Sequence, residues 1–140
     1  MFKLDSRLQS DTLLIAHLPL CDLLLMNDKQ YPWCILVPRI HDISEMHQLT
    51  ASQQSLLNVE STRLSQVLVD ICQPTTLNIA ALGNVVRQLH VHHVARFEDD
   101  VAWPNPIWGR YKPLAYSATE ASDLILSIKG HSLLQDLVTR

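Results

Sequence analysis

Between residues 88 and 94 the chain reads Gln-Leu-His-Val-His-His-Val. In an extended segment, side chains two apart share a face, so Gln88, His90 and His92 would line one side and Leu89, Val91 and His93 the other. An imidazole is unprotonated near neutral pH and can attack phosphorus, giving a phosphoramidate that water readily cleaves. A second histidine beside it can donate a proton or hold a phosphate oxygen. The same pair, two apart on a strand, could instead reach one metal ion, with His41 or Asp42 as a third ligand. By residue type alone, the nucleophile and metal readings carry similar weight. His93, on the apolar face, is better read as a core histidine without a chemical role.

Those side chains need a rigid frame. Apolar stretches at residues 12–16, 21–26 and 33–37 read as strands, the first two joined by a turn at Pro19 and the last two by the polar segment from Asn27 to Pro32. Thr50 and Gln53 form a capping-box pattern, after which Leu57, Leu64, Val67, Leu68 and Ile71 recur at helical spacing until Pro74. Residues 77–82 and 85–95 read as two more strands meeting at a turn of Gly83 and Asn84. Residues 97–113 have the composition of an ordered loop, with Trp103 and Trp108 filling a core or dimer contact. A second capping-box pattern at Ser117 and Glu120 starts a C-terminal helix, with a break at Gly130. The expected fold class is α+β: one domain over 1–140, an antiparallel sheet of about five strands with the histidine strand near its centre, one long helix and a C-terminal helix.

Composition narrows the function. With 47% hydrophobic and 18% charged residues over 140 positions, the chain can bury a core of its own. A formal charge of −3, with eleven lysines and arginines scattered along the sequence, gives no surface for extended nucleic acid. Cys21, Cys34 and Cys72 are odd in number and widely spaced, which fits reduced thiols and a cytoplasmic location. No apolar run is long enough for a membrane helix, and the N-terminus lacks a signal-peptide core.

The run from Gly83 to Val94 resembles the signature of the histidine triad family, in which three histidines alternate with apolar residues after a glycine-containing turn. A second match lies in Ile35-Leu36-Val37-Pro38-Arg39-Ile40-His41, similar to the family's strand ending in proline, a basic residue and a histidine. Leu23 to Asn27 fits the preceding strand, so the resemblance covers roughly residues 12 to 96. It implies a HIT-like fold, commonly a homodimer, in which His90 attacks the α-phosphorus of a nucleotide to give a covalent nucleotidyl-histidine. His92 then matches the last histidine of the triad and His41 the upstream histidine used around the phosphate. Asn84 and the backbone N–H of Val85 match the phosphate-binding turn, Asn27 the ribose position and Leu25 the base pocket. The implied activity is that of a hydrolase or nucleotidyl transferase acting on a dinucleoside polyphosphate or nucleoside phosphoramidate.

No cofactor is required on this reading, although a divalent cation can accompany a polyphosphate. The acidic run Glu98, Asp99 and Asp100 is expected to be a solvated loop face, with cation binding as the sharper alternative. Two departures stand out. His93 occupies a position that is normally apolar, and Gln88 replaces the first histidine of the triad. A glutamine amide can donate a hydrogen bond but cannot deliver a proton, so poor leaving groups should suffer most and Gln88→His should help them most. Two alternatives remain: a nucleotide-binding module with little or no turnover, and a metal-dependent enzyme using His90, His92 and His41.

Overall fold

The computed structural model describes residues 1–138. Five strands, β1 (Thr12–His17), β2 (Cys21–Met26), β3 (Trp33–Pro38), β4 (Thr76–Ala81) and β5 (Val91–Arg96), form one sheet in the order β1-β2-β3-β5-β4, with every neighbouring pair antiparallel. The α+β architecture expected from the sequence is therefore observed, and the histidine-bearing β5 lies inside the sheet between β3 and β4. Strands β3 and β5 are buried along their whole length, because both faces of the sheet are covered. That explains why β2 and β3 read as nearly unbroken apolar runs rather than as alternating ones.

Alternation within the strands sorts side chains into two cores. On one face Leu23, Leu25, Cys34, Leu36 and Val91 pack with Leu57, Leu64, Val67 and Leu68 of the long helix α2 (Ala51–Cys72) and with Ile128 and Leu134 further on. On the other, Leu24, Trp33, Ile35, Val37 and Val94 meet Leu8, Ala102 and Ile107. Each fully buried Leu or Val contributes roughly 1.5–3 kcal/mol relative to its exposed state. The sheet therefore carries a helical layer on one side and a layer built from the N-terminal segment and the 97–116 loop on the other.

Helix α2 starts at the expected capping box, with the Thr50 hydroxyl accepting from the Gln53 N–H. It ends at Gln73, whose left-handed backbone (φ 50°) turns the chain before Pro74. Its buried Glu60 accepts from the N–H groups of Leu20 (2.8 Å) and Cys21 (3.0 Å), tying the helix to the β1–β2 turn. The capping box of Ser117 and Glu120 opens α3 (Ala118–Lys129), and Gly130 separates it from the short α4 (Ser132–Gln135). Cys21 and Cys34 are buried, Cys72 is half-buried, and burial pushes all three thiols up.

One sequence expectation needs correction. Residues 85–90 are not strand: β4 ends at Ala81 and β5 begins at Val91, so residues 82–90 form an irregular connection rather than a tight turn. The ladder stops at Val91, paired to Leu36 and Ala81, and the backbone before it bonds elsewhere, the Leu89 N–H donating to the Ile43 carbonyl at 2.9 Å. In addition, the polar-looking N-terminus forms a helix, α1 (Ser6–Asp11), capped by the Asp5 carboxylate and buried through Leu8. Among the described residues, no helix is long and apolar enough to cross a membrane.

Candidate active site

Where β5 emerges from the sheet, His90 and His92 face a cavity of about 350 Å³ with Asn84 and Val85 on its wall. Both rings are nearly buried, at 6% and 4% exposure, with centroids 4.8 Å apart and planes 72° apart. Their hydrogen bonds fix which nitrogen can do what. His90 Nδ1 lies 2.7 Å from the Gln88 carbonyl oxygen, which can only accept, so Nδ1 carries the proton and the Nε2 lone pair is free to attack. The His90 ring is thereby oriented by its own backbone two residues back.

His92 is set the opposite way. The Trp33 indole N–H donates to His92 Nδ1 at 2.9 Å, and an indole has no acceptor, so a neutral His92 must carry its proton on Nε2. Burial, with smaller contributions from His90 and His93, pushes its pKa down to about 3. At neutral pH His92 is thus a fixed hydrogen-bond donor rather than a cationic acid. Trp33 reaches it diagonally across the ladder, because Ile35 is the residue directly opposite His92.

His93 points to the other face, as the alternation requires. Its Nδ1–H donates to the Val91 carbonyl (3.1 Å), its Nε2 accepts from the Ser61 hydroxyl of α2 (2.7 Å), and burial pushes its pKa down to about 4. Both nitrogens are occupied in the core between sheet and helix.

The other residues singled out from the sequence are dispersed. Gln88 turns its side chain to the N-terminal segment, accepting from the Asp5 N–H (2.9 Å) and donating to the Lys3 carbonyl (2.8 Å). Its amide is a clamp on the backbone, so replacing it would also release residues 3–5. His41 is exposed and lines a separate cavity together with Gln88, outside the one holding His90 and His92. Among the described residues no three His, Cys, Asp or Glu side chains gather as a metal-ligand set, and His41 does not join the other two. Asn27 Oδ1 accepts from the Tyr116 N–H and anchors the C-terminal segment. Leu25 is fully buried toward α2, while its neighbour Met26 lines the histidine cavity.

The acidic run divides. Glu98 and Asp99 are exposed, whereas Asp100 pairs with the buried Arg96 (Nε to Oδ2, 2.8 Å), whose guanidinium also donates to Asn78 and to the Asn105 carbonyl and lies over Trp103 and Tyr31. Asp100 is therefore structural. Several cavity residues carried no signal in a one-strand reading of the motif: Arg7, Leu8 and Asp11 from α1, Met26, Trp33 and Trp108. Trp108 comes from the loop after β5, its ring 5.5 Å from His92 and 6.4 Å from Trp33, and its buried indole N–H has no partner. The tryptophan-rich composition of that loop was the one visible hint.

A model of the HIT domain matches residues 7–99. The chain belongs to the histidine triad family. Among solved structures, a histidine triad protein from Bradyrhizobium japonicum is similar at 46% identity and a TM-score of 0.90, covering 92% of this chain and 96% of its own. One from Marinobacter aquaeolei shares 41% identity at a TM-score of 0.94 over 99% of both chains. One from Sinorhizobium meliloti shares 42% at 0.91, covering 93% of this chain and 96% of its own. A comparison with curated protein sequences finds no match. Histidine triad proteins form a superfamily of nucleotide-binding hydrolases and transferases, and this chain has their fold from β1 to β5.

Proposed function

We propose that the protein cleaves a nucleotide derivative at its α-phosphorus, as a hydrolase or nucleotidyl transferase, through a covalent intermediate on His90. The observation that carries this reading is the pair of opposed tautomers in one cavity: a free Nε2 lone pair on His90 and an Nε2–H donor on His92. In the first step His90 Nε2 forms a bond to phosphorus as the bond to the leaving-group oxygen breaks, and that oxygen keeps the electron pair. In the second, water or another acceptor attacks phosphorus, the P–N bond breaks with its electron pair returning to His90 Nε2, and the proton of the attacking oxygen passes to solvent. His92 donates to a phosphate oxygen throughout, and Asn84 with the Val85 backbone borders the same space. The base lies against Met26, Val86 and Trp108.

Gln88 supplies no proton, and its amide is engaged by Lys3 and Asp5. Substrates whose leaving group is itself acidic are therefore preferred, a dinucleoside polyphosphate above a nucleoside phosphoramidate. A divalent cation travels with such a substrate and is not a resident cofactor. The working form is a cytoplasmic homodimer. The occupied Gln88 amide equally favours a second reading, a nucleotide-binding module with little turnover.

Incubation with a dinucleoside polyphosphate labelled at the α-phosphate, quenched under alkaline denaturing conditions, should leave label on His90 and none in His90→Asn. Tight nucleotide binding with no label and no product would establish the binding module. Turnover abolished by chelator and restored by stoichiometric zinc but not by excess magnesium would refute the histidine nucleophile.

A further inference from the structure

Beside Gln88 lies a second cavity, of about 310 Å³, whose charged and titratable lining is Lys3, Arg87, His41 and Asp42. Ligand cavities run from roughly 300 to 1,000 Å³, so it is large enough to hold more than water. In a chain of net charge −3, this cavity sets two permanent cations against one carboxylate. No ion pair among the described residues engages Lys3, Arg87 or His41.

This cavity adjoins the histidine site across a small cleft of about 20 Å³. The cleft shares Ser44 and Gln88 with it and shares Leu82 and His90 with the nucleotide cavity. The one acidic residue on the cleft, Glu45, is exposed and accepts the Gln48 N–H on its backbone carbonyl (3.1 Å). Phosphates extending from His90 over the mouth of this cleft would pass Gln88 and reach the cavity that Lys3 and Arg87 line. Lys3 is there because the Gln88 amide holds its carbonyl, and Arg87 because it precedes Gln88 in sequence. The residue that removed a proton donor from the triad thus builds the wall of a cationic site.

We infer that this second cavity is the leaving-group subsite and takes the phosphorylated, anionic half of the substrate; this rests on the function proposed above. Lys3 and Arg87 hold the phosphate oxygens that gain charge when the bond to the α-phosphorus breaks. Such a leaving group departs as a phosphate anion and needs no proton, which removes the demand for an acid at position 88.

The test uses the full chain and the double variant Lys3→Ala/Arg87→Ala, both side chains being exposed so that folding should survive. Inorganic pyrophosphate, titrated calorimetrically, should bind the double variant about tenfold or more weakly than the parent, and Lys3→Arg/Arg87→Lys should restore binding. The kcat/KM for a dinucleoside polyphosphate should fall about tenfold or more. That for the p-nitrophenyl ester of a nucleoside monophosphate, whose leaving group has no phosphate, should move less than about twofold. Unchanged pyrophosphate binding, or equal losses on the two substrates, overturns the subsite. If the parent cleaves neither substrate, the proposed function fails, and the pyrophosphate titration alone decides whether the cationic site exists.

Discussion

Lowering the pH from about 8 to about 5 should cost this fold stability well before its carboxylates titrate, because two buried histidines are held neutral. Burial pushes His92 down to about 3 and His93 to about 4, against 6.5 when exposed. Between those values the unfolded chain binds more protons than the folded one, so stability rises with pH and is lost as the pH falls below about 6.5. At pH 5 each histidine lies about 1.5 units below its unfolded value, and at roughly 1.36 kcal/mol per unit the pair removes about 4 kcal/mol. Asp100 and Glu120 have lowered folded values, so their contributions remain until the pH approaches the ordinary carboxylate range. Glu60, raised by burial, works the other way and gains stability as the pH falls through its folded value. Urea unfolding followed by tryptophan fluorescence should show the midpoint dropping by about 2 M over this range. In His93→Gln, compared only with itself across pH, the drop should be about half as large. A midpoint that stays flat or rises toward pH 5, or a His93→Gln series that falls as steeply as the parent, would refute the reasoning.

Three further perturbations separate roles that the geometry assigns. Trp33→Phe keeps the ring but removes the donor to His92 Nδ1, and should lower kcat roughly 10- to 100-fold, the equivalent of one buried hydrogen bond, with KM little changed; a matching rise in KM alone would mean the indole only packs against ligand. Trp108→Ala should weaken binding of a nucleoside monophosphate by about tenfold, in line with the loss of one stacking surface, and unaltered affinity by calorimetry would remove Trp108 from the base site. Arg96→Met leaves Asp100 buried without its partner and should cost about 3–5 kcal/mol in urea unfolding, with Asp100→Asn in the same chain recovering part of it; a loss below about 1 kcal/mol would show the pair to be incidental.

Much of the frame could be read in advance because its signals are local. The capping boxes at Thr50 and Ser117 need only hydrogen bonds within one turn, and both form as the sequence implies. The β2 and β3 runs are apolar on nearly every residue because both faces are covered, a condition their composition states directly. His90 and His92 could be paired from alternation. The part that failed is the part set by distant partners. Gln88 continues the alternation in sequence, yet its amide is claimed by the backbone of Lys3 and Asp5, more than eighty positions earlier. The same applies to Asn27 with Tyr116 and to Trp33 with His92, where the sequence shows each group but not the contact that determines its role.

The division of the sheet into two cores bears on how such a protein can diversify. The layer against α2 holds most of the large aliphatic side chains, while Val86, Trp108 and Met26, which shape the nucleotide cavity, belong to the opposite layer and are only partly buried. Arg96 pins the start and the middle of the loop bearing Trp108, through Asp100 and the Asn105 carbonyl, so the cavity wall is anchored by groups that do not themselves meet a ligand. Exchanges at Val86 or Trp108 can therefore reshape the cavity while leaving the larger aliphatic layer against α2 untouched. New specificities become reachable by single substitutions, each passing through a stable protein.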